Sequence, residues 1–273
     1  MNYLTKISFI GCGNMASAIV QGLVSTGMPA DQIMASNPSN EKLKAIKSKT
    51  GILTTRDNIK AANFSDCLVL SIKPQILPKI CEQLSSIDLT KKLIISVAAG
   101  VSSKKIGELL TQPLAVIRAM PNTPALVSEA ATGLYANELS SKTERLKAEE
   151  IFLSIGEVKW VENESLIDVV TGISGSAPAY IFLFIQSMIN QAVKQGLDPE
   201  TARTLATQAV KGSALLAQNQ NSTPLCELQK RVTSPGGTTE AAIKSFEENN
   251  FSNIIEQAVA AAISRGKELG EHN

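Results

Sequence analysis

ISFIGCGNMASAI, residues 7–19, joins a short apolar run to a helical pattern through the turn Gly11-Cys12-Gly13. The apolar run ends at Ile10, and Met15, Ile19, Val20 and Leu23 then return at helical spacing, so the stretch reads as strand, tight turn and helix. Glycine permits the turn. The unpaired N–H groups at the helix start carry partial positive charge, which is the arrangement that receives the pyrophosphate of a dinucleotide. A GxGxxA element, here residues 11–16, also occurs where only the geometry of a strand-to-helix turn is at stake, so its meaning depends on context.

The context extends that reading. The next strand ends in Ala35-Ser36-Asn37-Pro38-Ser39-Asn40, with no acid where a carboxylate would grip the ribose hydroxyls of NAD. This favours NADP, with NAD less preferred. Ser36, Asn37 and Ser39 can donate to a 2′-phosphate and Lys42 can add charge, while a plain Asn-Pro turn is the other reading. Strand patterns at 4–10, 32–36, 67–72, 93–97, 114–118, 132–136 and 157–161 alternate with helical patterns at 14–26, 40–49, 75–86, 102–110 and 140–153. Such alternation predicts a mostly parallel sheet covered by helices.

Beyond about residue 162 the strand signal stops. Ile181, Phe184, Ile185, Met188, Ile189, Ala192 and Val193 mark one long apolar helix ending at Gly196. Asp198-Pro199, Thr223-Pro224, Thr238-Thr239 and Ser252 open four more. The expected fold is an α/β Rossmann-like dinucleotide-binding domain, residues 1–164, followed by an all-α domain, residues 165–273. A helix as apolar as 181–193 needs cover nearly all round, which dimerisation supplies and an intramolecular bundle would also supply.

Composition narrows the function. A formal net charge of +1, from 26 basic and 25 acidic residues, gives no field for nucleic acid or a membrane surface. Cys12, Cys67, Cys81 and Cys226 are scattered without a CxxC pair, and the single histidine is His272 near the C-terminus, so neither a metal site nor a disulfide framework is expected. The N-terminal apolar stretch is too short for a secretory signal, and no run approaches a membrane span. A soluble, cytoplasmic protein is expected.

Three strand ends open into a rim of ligand-friendly residues: Ser71-Ile72-Lys73-Pro74, Ser96-Val97-Ala98-Ala99-Gly100 and Met120-Pro121-Asn122-Thr123-Pro124. A second anion site is indicated at Ser234-Pro235-Gly236-Gly237-Thr238-Thr239, where glycines run into a helix start and can converge backbone amides on a carboxylate. The histidine lies in the tail and residues 177–193 hold no lysine, so no obvious acid is available for a hydroxyl proton. Reduction of an already protonated C=N bond suits this inventory.

GCGNMASAI, SIKPQ, SVAAGV, RAMPNTPA, GISGSAPAY and VTSPGGTTEAAI together resemble pyrroline-5-carboxylate reductase, in order along essentially the whole chain. The resemblance implies NADPH-dependent reduction of 1-pyrroline-5-carboxylate to L-proline and a helical dimerisation domain, with dimers often assembled into decamers. It implies cofactor contacts from Gly11, Gly13, Asn14, Met15, Ser36, Asn37, Asn58, Ser71, Lys73, Pro74 and Ala98. It places the substrate with Ser234, Gly237, Thr238 and Thr239, the Thr239 hydroxyl facing the ring nitrogen as the catalytic hydrogen-bond donor. Ser176 and Pro178 would shape the start of the long helix. Two positions depart from the family pattern: Ala177 replaces a usual glycine, and Arg231 replaces a usually neutral residue. A reductase for another cyclic imine acid, a hydroxyacid dehydrogenase of similar plan and a non-catalytic NADP-sensing protein are the rival readings.

Overall fold

A computed structural model describes residues 6–271. His272 and the first two residues of the strand expected at 4–10 lie outside the described residues. The first unit, to Ser176, contains β1 (Ile7–Ile10), α1 (Asn14–Ser25), β2 (Ile33–Ser36), α2 (Asn40–Thr50), β3 (Leu53–Thr55), α3 (Asn58–Phe64), β4 (Cys67–Leu70), α4 (Leu77–Leu84) and β5 (Leu93–Ser96). It continues with α5 (Ser103–Leu110), β6 (Val116–Met120), β7 (Ala130–Ala136), α6 (Lys142–Leu153), β8 (Gly156–Trp160) and α7 (Leu166–Val170). The strands form one sheet in the order β3-β2-β1-β4-β5-β6-β7-β8.

Every strand pair is parallel except β6 with β7. The exception follows from the linker. A parallel return needs a long crossover, usually a helix. Residues 121–129 hold Pro121 and Pro124 and manage only a 3-10 turn over Thr123–Val127, so the chain doubles back.

β1, β2, β4 and β5 are buried along their whole length, as strands covered on both faces must be. Alternate residues divide between two cores. Ile7 and Phe9 join Ile19, Leu23 and Phe152 on the α1, α2 and α6 side, whereas Ile10 joins Leu68, Leu70, Leu77 and Ile106 on the α3, α4 and α5 side. Ser8 faces the second core too, where its hydroxyl donates to the Ala61 carbonyl at 2.7 Å.

Among the elements absent from the sequence expectation are β3 and α3. β3 has only three residues, with Leu53 exposed, and so lacks an apolar run; α3 is short and is started by the Asp57 carboxylate, which accepts from the Ile59 and Lys60 amides. Neither carries periodicity strong enough to read.

The second unit is Ala177–Ala260; residues 261–273 count with the first. It holds α8 (Ala177–Lys194), α9 (Pro199–Asn219), α10 (Leu225–Arg231), α11 (Thr238–Glu248) and the first part of α12 (Phe251–Glu271). Part of the punctuation acts as read: Gly196 adopts φ +95° beyond α8, and Asp198 accepts from the Thr201 amide at 2.8 Å to start α9, whereas α10 is capped by Pro224 and α11 by Gly237 with no side chain accepting at either start. Among the described residues of this unit only Ala202 and Ala206 are buried, and α8 buries none. Phe182 is 66% exposed and Leu183 71%. Phe184, Phe246 and Phe251 form its one aromatic contact series.

One expectation about apolar length needs correction. Residues 166–194 are long and apolar enough, by length and composition, to cross a membrane. No unbroken apolar run exists there, since Asp168, Ser174, Ser176, Gln186 and Asn190 interrupt it, but the average hydropathy is high because the apolar residues between them are large.

Gly156 opens β8 at φ +149°, and a Cβ there would stand 2.2 Å from the Ala130 carbonyl oxygen of β7. Gly156→Ala is therefore expected to cost at least about 2 kcal/mol of stability. Urea unfolding measures it, and an unchanged midpoint would mean the β7–β8 pairing is soft.

Candidate functional site

The carboxyl ends of β1, β2 and β4 are tied together by backbone. Gly11 N–H donates to Ser36 O and Ser71 N–H to Ile10 O, both at 2.9 Å. Gly11 sits at φ +95°, and a Cβ on it would lie 2.3 Å from Ser71 O, so only glycine fits. Gly13 is different: a Cβ there meets nothing within 4 Å. It caps α1 without a side-chain acceptor, so the first-turn amides after it are left for a ligand, while exposed Asn14 and half-buried Met15 supply the side chains. An open glycine at an uncapped helix start, beside a glycine pinched against the neighbouring strand, fits a dinucleotide pyrophosphate.

Around this turn the expected contact residues hold one another. Asn37 accepts from the Cys12 amide at 3.2 Å, and its amide group reaches Ser39 O at 3.5 Å. Ser36 is fully buried, and its hydroxyl donates to Asn58 at 2.7 Å; Asn58 in turn donates to Gln83 at 3.1 Å. The Ser36 side chain thus faces Asn58, and Gln83 joins the chain although no sequence signal marks it. Lys73 is exposed and precedes the 3-10 turn that begins at Pro74. Ala98 is buried, with its amide donating to the Ser96 hydroxyl at 3.3 Å. Next along the loop Gly100, at φ +74°, lies against the last turn of α12, where a Cβ on Gly270 would be 2.7 Å from Gly100 O.

Behind the rim sits an ion pair that sequence reading missed. Arg118 on β6 is 5% exposed and meets Glu164 at 3.2 Å. Glu164 also accepts from the Ser103 amide at 2.6 Å and its hydroxyl at 2.9 Å, which fixes the start of α5. The signal available in sequence was a lone arginine inside an apolar strand, VIRAM. Asn122, after the same strand, accepts from the Ala131 amide and donates to Ser174 O.

The second expected site is the bend before α11. Gly236 adopts φ +72°, which favours glycine although the space around it is open, and a Cβ on Gly237 would come within 2.5 Å of the Ser234 hydroxyl, so a larger residue there would have to displace Ser234. Gly237 N–H donates to Ser234 O at 3.0 Å, and Gly236 N–H donates to the Glu240 carboxylate at 2.7 Å. The first-turn amides of Thr238 and Thr239 have no intrahelical acceptor and remain for a ligand. Thr239 is half-buried and Thr238 exposed; a groove of about 740 Å³ is lined by Gly236, Gly237, Glu240, Lys244 and Glu247, and neither Thr238 nor Thr239 lines it. Arg231 donates to Gln220 at 2.9 Å, and Ala177 keeps negative φ at the head of α8.

No group of three or more metal-ligating side chains occurs among the described residues. The cysteines are free thiols, and burial pushes Cys67 and Cys81 up to about 12. Cys12 is raised by burial as well, against smaller opposing effects of Ser17 and Lys42.

Comparison with known proteins gives these features a family setting. Residues 164–269 match the pyrroline-5-carboxylate reductase dimerisation family, and residues 6–100 match the family of coenzyme F420-dependent NADP oxidoreductases. The chain is 43% identical over 264 residues to the pyrroline-5-carboxylate reductase of Vibrio alginolyticus, covering 97% of each. Among solved structures, a pyrroline-5-carboxylate reductase from Coxiella burnetii superposes with a TM-score of 0.92 at 42% identity, over 98% of this chain and 99% of that one. The Plasmodium falciparum pyrroline carboxylate reductase, determined with NADP bound, superposes at 0.86 with 30% identity over 99% of each chain. The apolar stretch 166–194 falls within the dimerisation match, which gives its exposed face a use other than lipid.

Since the folded thiols of Cys67 and Cys81 hold their protons to about 12 whereas an unfolded cysteine ionises near 9, stability from them is intact below pH 9 and falls as pH rises from 9 towards 12. A urea midpoint that drops across that range, less so in Cys67→Ala, is the expected result. Disulfide-exchange reagents at pH 8 should label Cys67 and Cys81 only after unfolding.

Proposed function

The chain belongs to the pyrroline-5-carboxylate reductase family, and we propose that it reduces 1-pyrroline-5-carboxylate to L-proline with NADPH, NAD(H) being the poorer cofactor. The observation that carries this is the Gly236-Gly237 bend, where Gly236 holds a left-handed φ, Gly237 packs against Ser234 and the following amides are unpaired, in a chain alike along its whole length to such reductases. NADPH, when bound, supplies the hydride.

The protein's own part is binding and alignment. In this reading residues 1–164 hold the cofactor: the amides after Gly13 meet the pyrophosphate, with Asn14 and Met15 beside it, and Gly11 keeps the turn low against Ser71. Asn58, oriented by Ser36, and Asn37 line the ribose end; Lys73, Pro74 and Ala98 border the nicotinamide end. Residues 165–273 hold the substrate and the partner subunit. The carboxylate lies on the amides of Thr238 and Thr239, with Ser234 and Gly237 shaping the bend. Gly237 itself contributes backbone form more than a free donor, since its N–H is engaged with Ser234.

Hydride adds to the imine carbon of a ring whose nitrogen already carries a proton, so the C=N pair becomes the amine lone pair and no side-chain acid is consumed. The Thr239 hydroxyl accepts a hydrogen bond from that N–H, turns to donate to the lone pair as it forms, and fixes which carbon faces the hydride. A homodimer formed through the helical part, with dimers assembled into a decamer, and residence in the cytoplasm complete the proposal; the four unpaired thiols suit a reducing compartment.

Steady-state assays at the nicotinamide absorbance band should show NADPH consumed with 1-pyrroline-5-carboxylate and far less with its six-membered homologue or with hydroxy acids. Cofactor binding without consumption would favour a sensor instead. Thr239→Val is expected to lower kcat by up to ~10²-fold, as for loss of one donor, with Thr239→Ser close to wild type. Full turnover by the valine variant would remove Thr239 from the reaction.

A further inference from the structure

We infer that Glu164, acting through Ser103 at the start of α5, and Gly270, on the last turn of α12, are positioning residues for the nicotinamide end of NADPH, since between them they set where the loop from β5 to α5 stands. The inference rests on the reductase reading above and deepens it with residues that reading leaves without a role.

Residues 97–102, which include Ala98 at the nicotinamide end, form neither helix nor strand. Hydrogen bonds hold the entry to this loop: the Val97 amide donates to Leu70 O at 3.2 Å and the Ala98 amide to the Ser96 hydroxyl at 3.3 Å. Ala98 and Val101 pack into the core on the α3, α4 and α5 side, and Ala99 and Gly100 make the turn between them. The height of that turn is set by what lies against it.

Two contacts from distant sequence set it. On Gly100, buried and held at φ +74°, lies the last turn of α12: a Cβ there would stand 2.9 Å from the Gly270 nitrogen and 3.0 Å from the Leu269 carbonyl carbon. A Cβ on Gly270 would be 2.7 Å from Gly100 O, so backbone meets backbone with no side chain to yield. The segment from Ala261 counts with the sheet unit, and the contact is internal to that unit. At the far end of the loop Glu164 accepts from the Ser103 amide at 2.6 Å and its hydroxyl at 2.9 Å, a carboxylate where the helix dipole favours one. Arg118 on β6 holds Glu164 in turn, at 3.2 Å. As a stabiliser the ion pair is poor: Arg118 is 5% exposed and its Nη2 has no partner among the described residues, which is a costly way to bury a guanidinium. What the pair yields is position. It ties the first residue of α5 to β6 and to the segment after β8, so that α5 carries Val101 and Ser102 to one place.

The test compares NADP with 2′,5′-ADP, which lacks the nicotinamide half, by calorimetry on the intact protein. Ser103→Ala, which removes one hydroxyl and keeps the ion pair, Glu164→Gln and Gly270→Ala should each weaken NADP by about 3- to 10-fold and leave 2′,5′-ADP unchanged. The kcat with 1-pyrroline-5-carboxylate should fall by about 10-fold or more with KM for that substrate held, because a nicotinamide slightly displaced no longer meets the imine carbon. Ser141→Ala, which breaks the corresponding serine contact with Glu144 at the start of α6, should lower the urea midpoint and change neither nucleotide. Equal losses for NADP and 2′,5′-ADP, NADP binding at wild-type strength in both Ser103→Ala and Glu164→Gln, or a loss confined to NADP and as large in Ser141→Ala would each overturn the assignment. Wild-type NADP binding in Gly270→Ala alone would overturn the part given to α12. Failure to reduce 1-pyrroline-5-carboxylate, with the nucleotide pattern as expected, would instead sink the reaction and spare the nicotinamide loop.

Discussion

The architecture of the cofactor half turns on one close approach, the backbone of Gly11 against Ser71. Its N–H is spent on Ser36 O, Ser71 is spent on Ile10, and the space a Cβ would need is occupied by a carbonyl. Three parallel strands are thereby brought to a common edge with their last residues in register. Because Gly11 lies low, the chain can turn at once into α1 and leave Gly13 open above it. A bulkier residue would lift the turn, and the amides that follow would no longer lie over the strand ends.

A second node holds the far side of that edge. Arg118 and Glu164 are close partners, and Glu164 accepts from both Arg118 and the Ser103 amide at Oε1 and from the Ser103 hydroxyl at Oε2. A charge placed in a β6 strand otherwise apolar is costly unless it is paired and bonded. Here it ties β6 to the segment after β8 and to the helix that follows the Ala98–Gly100 loop. The loop is thus anchored at α5 on one side and rests against Gly270 on the other.

Much of this was legible in the sequence, and the boundary of legibility has physical causes. The parallel strands were readable because burial on both faces demands continuous apolar runs, as in CLVL and LIIS. The long helices were readable from their caps: Asp198, Gly196 and the glycine pair before Thr238 behave as their chemistry requires. β3 and α3 were not, since a three-residue edge strand and a seven-residue helix are stabilised by neighbours and not by their own pattern. At the two glycine bends the backbone geometry could be read from local sequence. Gln83, Glu164 and Glu240 could not, because each acts across the fold or by a single side-chain rotamer on an otherwise ordinary residue. The direction of Ser36 was equally hidden: a serine at a strand end can face ligand or interior, and only the position of Asn58 decides between them.

The helical unit, with two alanines for an interior, has a consequence for how its strength is to be understood. In the proposed homodimer, association through the dimerisation domain supplies the dry contacts that one copy lacks, so its free energy of folding includes a mass-action contribution. Heat resistance then rises with the amount of protein in the tube, and dilution alone can loosen the helices while the sheet half stays intact. In the proposed homodimer a newly made chain meets the same condition, since Phe182, 66% exposed in one copy, leaves water only against a partner.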